Sequence, residues 1–188
     1  MVKKIQYGMV IDTTRCMGCH TCVVTCKVSH QNPKGVYWSK VKTVGSDVNY
    51  KPTGKYPNPE LVFQPLLCNH CENPACVANC PTGAMHKRAD GIVEVNQEVC
   101  IGCQYCSWNC PYDAPVFDPV KKTVSKCNLC AERIEGGEEP YCVEACPAEA
   151  RHFGMISDPS SEISKLIAAK DAKPFKPQYG TKPSVYYI

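Results

Sequence analysis

Sixteen cysteines dominate the chain and fall into four groups of four: Cys16, Cys19, Cys22, Cys26; Cys68, Cys71, Cys76, Cys80; Cys100, Cys103, Cys106, Cys110; and Cys127, Cys130, Cys142, Cys146. The first and third groups read C-x2-C-x2-C-x3-C, the second widens one gap to C-x2-C-x4-C-x3-C, and the fourth has a long insert between its second and third members. Three groups end in Cys-Pro, at Pro81, Pro111 and Pro147. Thiolates are soft ligands that suit zinc and iron–sulfur centres alike, so the spacing has to choose between them. Zinc knuckles need two C-x2-C pairs. Here further cysteines follow each pair. In such a run three close cysteines each take one corner of a cubane iron–sulfur cluster, and the fourth reaches across to a neighbouring cluster. The stock of ligands matches four [4Fe-4S] clusters, whose chemistry is one-electron transfer.

Two other uses of this much cysteine fit less well. A disulfide scaffold is the usual reading of secreted chains below about 100 residues; this chain has 188. Its opening, Met1-Val2-Lys3-Lys4-Ile5-Gln6-Tyr7-Gly8, is not followed by an apolar stretch of signal-peptide length, because Asp12 and Arg15 interrupt it. A zinc-based interaction scaffold, free of redox chemistry, would show zinc and no acid-labile sulfide. Only 4 Phe and 2 Trp are present against 16 Pro and 12 Gly, so an aromatic core is thin. Clusters then supply part of the folding energy, and the metal-free chain is expected to fold poorly. The formal net charge of +3 omits the thiolates; with each oxidised cluster and its cysteines carrying about −2, the loaded protein sits near about −5. The basic pairs Lys3-Lys4, Lys87-Arg88 and Lys121-Lys122 are too short for a phosphate track, which argues against nucleic-acid binding. No apolar run reaches the length of a membrane span.

The elements that position the cysteines are short. Ile5–Ile11 is strand-like, Ala84–Lys87 and Ile92–Val95 flank the turn Arg88-Ala89-Asp90-Gly91, and Arg151–Phe153 follows the last group. These signals predict an α+β fold of two bacterial-ferredoxin-like halves, each binding two clusters, with short β-hairpins and short helices. Residues 1–30 with 119–157 form one half and 61–118 the other. Adjacency pairs the second and third groups, which leaves the first and last to meet, with the strand before Cys16 beside the strand after Cys146. Residues 31–60, rich in Gly, Pro, Lys and Tyr, read as an inserted loop region. In 158–188, Asp158-Pro159 signals a helix start, with Ile163, Leu166 and Ile167 at helical spacing up to Lys170. The tail from Lys173 carries Pro174, Pro177 and Pro183 and reads as extended, docking on a partner.

The chain resembles the four-cluster electron-transfer subunits of the molybdopterin oxidoreductases. The resemblance rests on Tyr7-Gly8-Met9-Val10-Ile11-Asp12 ahead of Cys16-Met17-Gly18-Cys19, on Cys68-Asn69-His70-Cys71-Glu72-Asn73-Pro74-Ala75-Cys76, and on Cys80-Pro81-Thr82-Gly83-Ala84-Met85-His86-Lys87-Arg88. Cys100-Ile101-Gly102-Cys103 through Cys110-Pro111-Tyr112 and Lys126-Cys127-Asn128-Leu129-Cys130 carry it further. It covers residues 5–156, and within the family the chain is most similar to the dimethyl sulfoxide reductase type.

The resemblance implies a ligand set for each cluster. Cluster 1, nearest the catalytic subunit, takes Cys16, Cys19, Cys22 and Cys146; cluster 2 takes Cys127, Cys130, Cys142 and Cys26. Cluster 3 takes Cys68, Cys71, Cys76 and Cys110; cluster 4, beside a quinone-reacting membrane subunit, takes Cys100, Cys103, Cys106 and Cys80. In the nitrate reductase branch a Trp replaces one cysteine of the third group and a three-iron cluster results; here Cys103 holds that place, so four cubanes are implied. Cys26 departs from the pattern, being followed by Lys27 where the other groups have proline. The implied function is electron relay between a membrane quinol-interacting subunit and a molybdopterin-containing catalytic subunit of a respiratory oxidoreductase, with no catalytic residues in this chain. A free polyferredoxin carrier is the competing reading; the insertion and tail favour fixed docking over it. Cysteines kept reduced suit cluster assembly in the cytoplasm. Folded export on a catalytic partner's signal favours the periplasmic side, peripheral to the cytoplasmic membrane.

Several other residues lie close to the ligands. His20, His70 and His86 are read as structural or as supporting the clusters from behind the ligands, since four cysteines per cluster leave no vacancy. Gly18, Gly83 and Gly102 permit close backbone approach or a plain turn. Trp38 and Trp108 are read as packing or interface residues.

Overall fold

The computed structural model describes residues 5–46, 48 and 50–188, so Lys3-Lys4 and the start of the first half lie outside the described residues. The strands are β1 (Tyr7–Ile11), β2 (Lys40–Thr43), β3 (Thr53–Lys55), β4 (Asn58–Glu60), β5 (Phe63–Leu66), β6 (Met85–Lys87), β7 (Val93–Val95), β8 (Val116–Asp118), β9 (Thr123–Ser125), β10 (Arg151–Met155), β11 (Lys173–Pro174) and β12 (Val185–Tyr187). The helices are α1 (Thr21–Ser29), α2 (Ala75–Ala78), α3 (Tyr105–Trp108), α4 (Ala131–Glu135), α5 (Tyr141–Glu144) and α6 (Glu162–Ala169). A fold of short helices and short antiparallel pairs is α+β in character.

The β-branched and apolar run Met9-Val10-Ile11 is completely buried, which makes β1 an interior strand. It lies antiparallel to β10, with Tyr7 opposite Met155 and Ile11 opposite Arg151, in a sheet ordered β10-β1-β12-β11. The strand before Cys16 and the strand after Cys146 are therefore neighbours. The predicted hairpin forms as β6-β7, with Met85 opposite Val95. A second hairpin, β8-β9, has the same form; the Asp118 carboxylate closes its turn by accepting from the N–H groups of Val120 and Lys121 at 2.9 and 3.1 Å. α1 packs on α5 and α2 on α3, so the helices meet in the combinations first-with-fourth and second-with-third group.

Proline decides how these helices end. α2, α3 and α5 each have four residues and stop before Cys80-Pro81, Cys110-Pro111 and Cys146-Pro147. Proline has no N–H to continue the ladder, and its ring disfavours helical geometry in the residue before it. After Cys26 there is no proline, so α1 runs on to Ser29 and buries Cys26 within it. Lys27, in the proline's place, donates to the carbonyls of Asn32, Pro33 and Val36 at 3.1, 2.7 and 3.2 Å and so ties the start of the insertion to α1.

Three expectations change. The insertion is not merely a loop: β2 pairs with β5, β3 with β4, and Trp38 donates its ring N–H to Ser125 Oγ at 3.0 Å. Asp158 does not start the helix. It accepts from the Ser160 N–H at 3.0 Å in a local turn, and Ser161 caps α6 by accepting from Ser164 N at 3.2 Å. The tail is not simply extended. β12 enters the sheet parallel to β1, pairing Met9 with Val185, and the residues before it bond the second cysteine group: Glu72 N to Lys182 O at 2.8 Å, Asn73 N to Thr181 O at 3.0 Å and Ser184 N to Asn69 O at 2.8 Å. Val185 is buried, so the tail is part of the chain's own core.

Truncation after Pro183 removes the β1–β12 ladder and a buried Val side chain. With about 1 kcal/mol per lost hydrogen bond and about 1.5–3 kcal/mol for the side chain, the expected loss is about 5 kcal/mol, a large share of a domain's stability. A sharply lower melting temperature of the iron-loaded chain, measured anoxically, is the expected result; an unchanged one would return the tail to a purely docking role.

Candidate functional site: four thiol quartets

The third and fourth cysteines of each of the first three groups, and of the last, ride on or just beyond a short helix, while the first two lie in a loop with left-handed turns. At the residue two after the first cysteine, Gly18, His70, Gly102 and Leu129 all have positive φ, at 70°, 40°, 67° and 57°. This turn curls the backbone so that successive N–H groups can face one centre. Two of the four positions are glycine with a further steric reason: a Cβ on Gly18 would lie 2.7 Å from the Phe63 ring, and one on Gly102 2.3 Å from the Lys122 carbonyl.

Sorted by the thiols that act on one another, the sixteen cysteines form four groups that cross the sequence order. Cys16 feels Cys22 and Cys146, and these with Cys19 line one pocket walled by Met17, Val41, Pro65 and Ala150. Cys26 feels Cys142 and Cys130, and Cys127 feels all three. Cys71 and Cys76 feel Cys68 and Cys110. Cys106 feels Cys80, Cys100 and Cys103, and these four line a second pocket walled by Ala84, Met85, Ile101 and Val124. The fourth cysteine of each run is thus carried to another run's partners. Cys127 also feels Cys68, which brings the second and third sites side by side.

Burial dominates the protonation of these thiols. It pushes Cys26, Cys71 and Cys76 up to about 12, Cys106 and Cys130 up to about 11, and Cys127 well above the ordinary thiol range, with neighbouring sulfurs adding repulsion. Local donors act in the other direction. The Thr21 hydroxyl and N–H lower Cys19; partial burial opposes the effect at Cys80, but the Met85 N–H and the Thr82 hydroxyl bring it below its usual value. Backbone N–H groups approach sulfur at 3.3 Å from Met85 to Cys80, 3.4 Å from Val124 to Cys100, 3.4 Å from Leu129 to Cys127 and 3.3 Å from Ala150 to Cys146.

The donor set fits cubane clusters. The two lined pockets contain four thiols each and otherwise mainly apolar walls, with N–H groups aimed at sulfur, as iron–sulfur ligation requires. Zinc would draw its ligands to about 2.3 Å from one ion; among the described residues no three His, Cys, Asp or Glu side chains close on one such point. Cys19 and Cys103 are exposed, and the other fourteen are buried or half-buried.

The three histidines picked out from the sequence are structural. His20 precedes α1 and stacks on Tyr50; His70 is buried and accepts from the Val93 N–H at Nδ1, 3.0 Å; His86 Nδ1 lies 3.2 Å from the Ala84 carbonyl. With Nδ1 accepting, His70 carries its proton on Nε2, a buried donor without a protein partner among the described residues and of the kind a cluster sulfide accepts. Trp38 packs against His30, while Trp108 is largely exposed. Sequence reasoning missed three residues. His30 Nε2 lies 3.3 Å from Cys130 Sγ, and burial lowers its pKa. Lys126 is buried and donates to the carbonyls of Val93 and, at 2.9 Å, Cys127. Arg151 is buried 3.6 Å from Cys142 Sγ. Only Lys126 adjoins a cysteine in sequence; His30 and Arg151 carry no such signal, and the fold brings His30 to Cys130 from a hundred residues away.

This architecture, with short helices and hairpins arranging cysteine quartets that exchange their last members, defines a ferredoxin-like iron–sulfur protein. Residues 59–156 match the 4Fe-4S dicluster domain family. A Halobacterium salinarum protein named as an iron-sulfur subunit of dimethyl sulfoxide reductase is 42% identical over 206 residues, covering 97% of this chain and 79% of its own. A sulfite dehydrogenase subunit of Allochromatium vinosum is 42% identical, covering 97% and 82%, and a polysulfide reductase chain of Wolinella succinogenes is 41% identical, covering 100% and 95%. The protein belongs to this family of four-cluster iron–sulfur subunits, and its cofactors are four [4Fe-4S] clusters.

A thiol whose folded-state pKa is raised stabilises the fold below its unfolded value and loses that contribution as pH climbs to the folded one. For Cys26, Cys71 and Cys76 the window runs from 9.0 to about 12. The metal-free chain is expected to lose its residual structure across that window, whereas the loaded chain, already deprotonated at sulfur, does not follow the same curve; circular dichroism of both forms at stepped pH checks this.

Proposed function

We propose that the chain is the electron-transfer subunit of an anaerobic respiratory molybdopterin oxidoreductase of the dimethyl sulfoxide, polysulfide and thiosulfate reductase type, relaying single electrons between a quinone-linked membrane subunit and the catalytic subunit. The observation that carries this is the pattern of exposure. Of sixteen cysteines only Cys19, in the first site, and Cys103, in the fourth, are exposed, and the four of the second site are all buried. The line of sites has two open ends and an insulated middle, as a wire between two partners needs. The chain itself has no catalytic residues; relatives named as subunits of reductases support a fixed subunit over a free polyferredoxin.

The ligand sets supported by the grouping of thiols are Cys16, Cys19, Cys22, Cys146; Cys127, Cys130, Cys142, Cys26; Cys68, Cys71, Cys76, Cys110; and Cys100, Cys103, Cys106, Cys80. When bound, the clusters supply reversible one-electron chemistry. The protein's part is to space the four quartets, exclude water from their walls and aim N–H donors at sulfur, which favours the more negative state. Packing of α1 on α5 and α2 on α3 supports two ferredoxin-like halves, 1–30 with 119–157 and 61–118. No helix of the described residues is long and apolar enough to cross a membrane. We propose that the membrane link runs through a partner subunit, with the complex on the periplasmic face by folded export on the catalytic partner's signal.

Chemical analysis of the anoxically purified complex is expected to give about 16 iron and about 16 sulfide per chain, with a molybdopterin protein co-purifying. Cys103→Ser is expected to alter or remove one cluster, a loss of up to about four irons, and to cut electron flow from quinol while leaving the other three signals intact. Zinc without labile sulfide would overturn the assignment.

A further inference from the structure

The chain has four arginines, and one is unlike the rest. Arg15 pairs with Glu149, Arg88 with Asp90, Glu94 and Glu135, and Arg133 with Glu138 and Glu144. Arg151 has no carboxylate partner among these ion pairs, although it is only 3% exposed. Its Nη1 lies 3.6 Å from Cys142 Sγ and 3.6 Å from Met9 Sδ, and its Nη2 lies 3.4 Å from Ser39 Oγ. A guanidinium stays charged in a protein, and a buried charge without a counter-charge is strongly destabilising. The counter-charge in reach is sulfur. Arg151 interacts electrostatically with Cys142 and Cys22, and Cys16, Cys19 and Cys26 also feel it. Cys22 belongs to the first site and Cys142 to the second.

We propose that Arg151 is a shared electrostatic tuning residue that raises the reduction potentials of the first two clusters together and leaves the third and fourth essentially untouched. The proposal rests on the ligand assignment above. Adding an electron makes a cluster one unit more negative while no bond forms or breaks, and a fixed cation nearby favours that reduced state. Arg151 is not among the charges that act on Cys71 and Cys110 of the third site or Cys80 and Cys106 of the fourth. Cys76, in the third site, feels Lys126 instead, and the Lys126 ammonium is already engaged by two backbone carbonyls. Arg151 has no carbonyl partner among its hydrogen bonds, so more of its charge is directed at the sulfurs. It is positioned by the fold: it opens β10 opposite Ile11, immediately beyond the loop that carries Cys146.

The test is a potentiometric titration of the loaded complex followed by electron paramagnetic resonance, with Cys19→Ser used to mark the signal of the first cluster. Arg151→Gln is expected to lower two of the four midpoint potentials, the marked one among them, and Arg151→Lys to restore most of the shift. Four unchanged potentials with all four clusters present, or one equal shift of all four, would overturn the proposal. Should Arg151→Gln lose iron, Ser39→Asp decides: a carboxylate set against Nη2 is expected to lower the same two potentials with the guanidinium still in place, and no shift there overturns the proposal. The ligand assignment fails separately, if Cys19→Ser leaves all four wild-type signals unaltered.

Discussion

Holding sixteen thiols, fourteen of them buried or half-buried, in a chain with few large apolar side chains is the constraint on which the rest of the structure depends. A buried thiol resists ionisation, as the rise of Cys26, Cys71 and Cys76 to about 12 records. A thiolate is nevertheless what iron needs. At these raised thiols the bound metal is what makes the ionised state available, so that loading with clusters and folding become one process. The thin aromatic content then makes sense: much of the interior is built around ligand loops, with cysteines such as Cys22, Cys68, Cys127 and Cys142 lying within the main apolar cluster beside Met9, Ile11 and Leu129.

What remains after burial is a set of small electrostatic corrections, and they differ from site to site. Backbone N–H groups from Met85, Val124, Leu129 and Ala150 reach one sulfur each. Cys26 sits inside a continuous helix, where the backbone N–H groups around it are committed to the helical ladder. Proline accounts for that difference. Where it follows the fourth cysteine the helix stops and the chain turns back with free N–H groups, and where Lys27 follows, the helix continues and the lysine organises the insertion instead. Cations then differentiate the sites further, with Arg151 at the first two and Lys126 between the second and third.

The same frame explains why the tail belongs to the core. Residues 181–184 bond the backbone of Asn69, Glu72 and Asn73, and β12 lies against β1, so one segment closes the third site and the central sheet together. Gln6 joins these parts as well, donating to the carbonyls of His70 and Gly91 at 3.3 Å and accepting from Lys87 at 2.8 Å. The second cysteine group is thereby held by both ends of the chain, which couples the integrity of the middle of the relay to contacts far from it in sequence.

Cysteine spacing by itself determined the cofactor and its count, because three ligands of a cubane lie within one short run and the distance between them is a local property. The β6-β7 hairpin, the strand around Met9 and the meeting of β1 with β10 were legible for the same local reason or from the symmetry of the runs. The β12 strand was not, since Val185-Tyr186-Tyr187 follows a proline-rich stretch and only a partner 176 residues away gives it a place in a sheet. Nor was the start of α6, where Asp158 and Ser161 both carry a capping signal and packing chose the second. The tertiary structure alone decided the electrostatics of the sites: nothing adjacent to His30 or Arg151 announces a sulfur partner, and a side chain's burial beside a thiol brought from another run is set by how the runs pack, which no spacing within a run encodes.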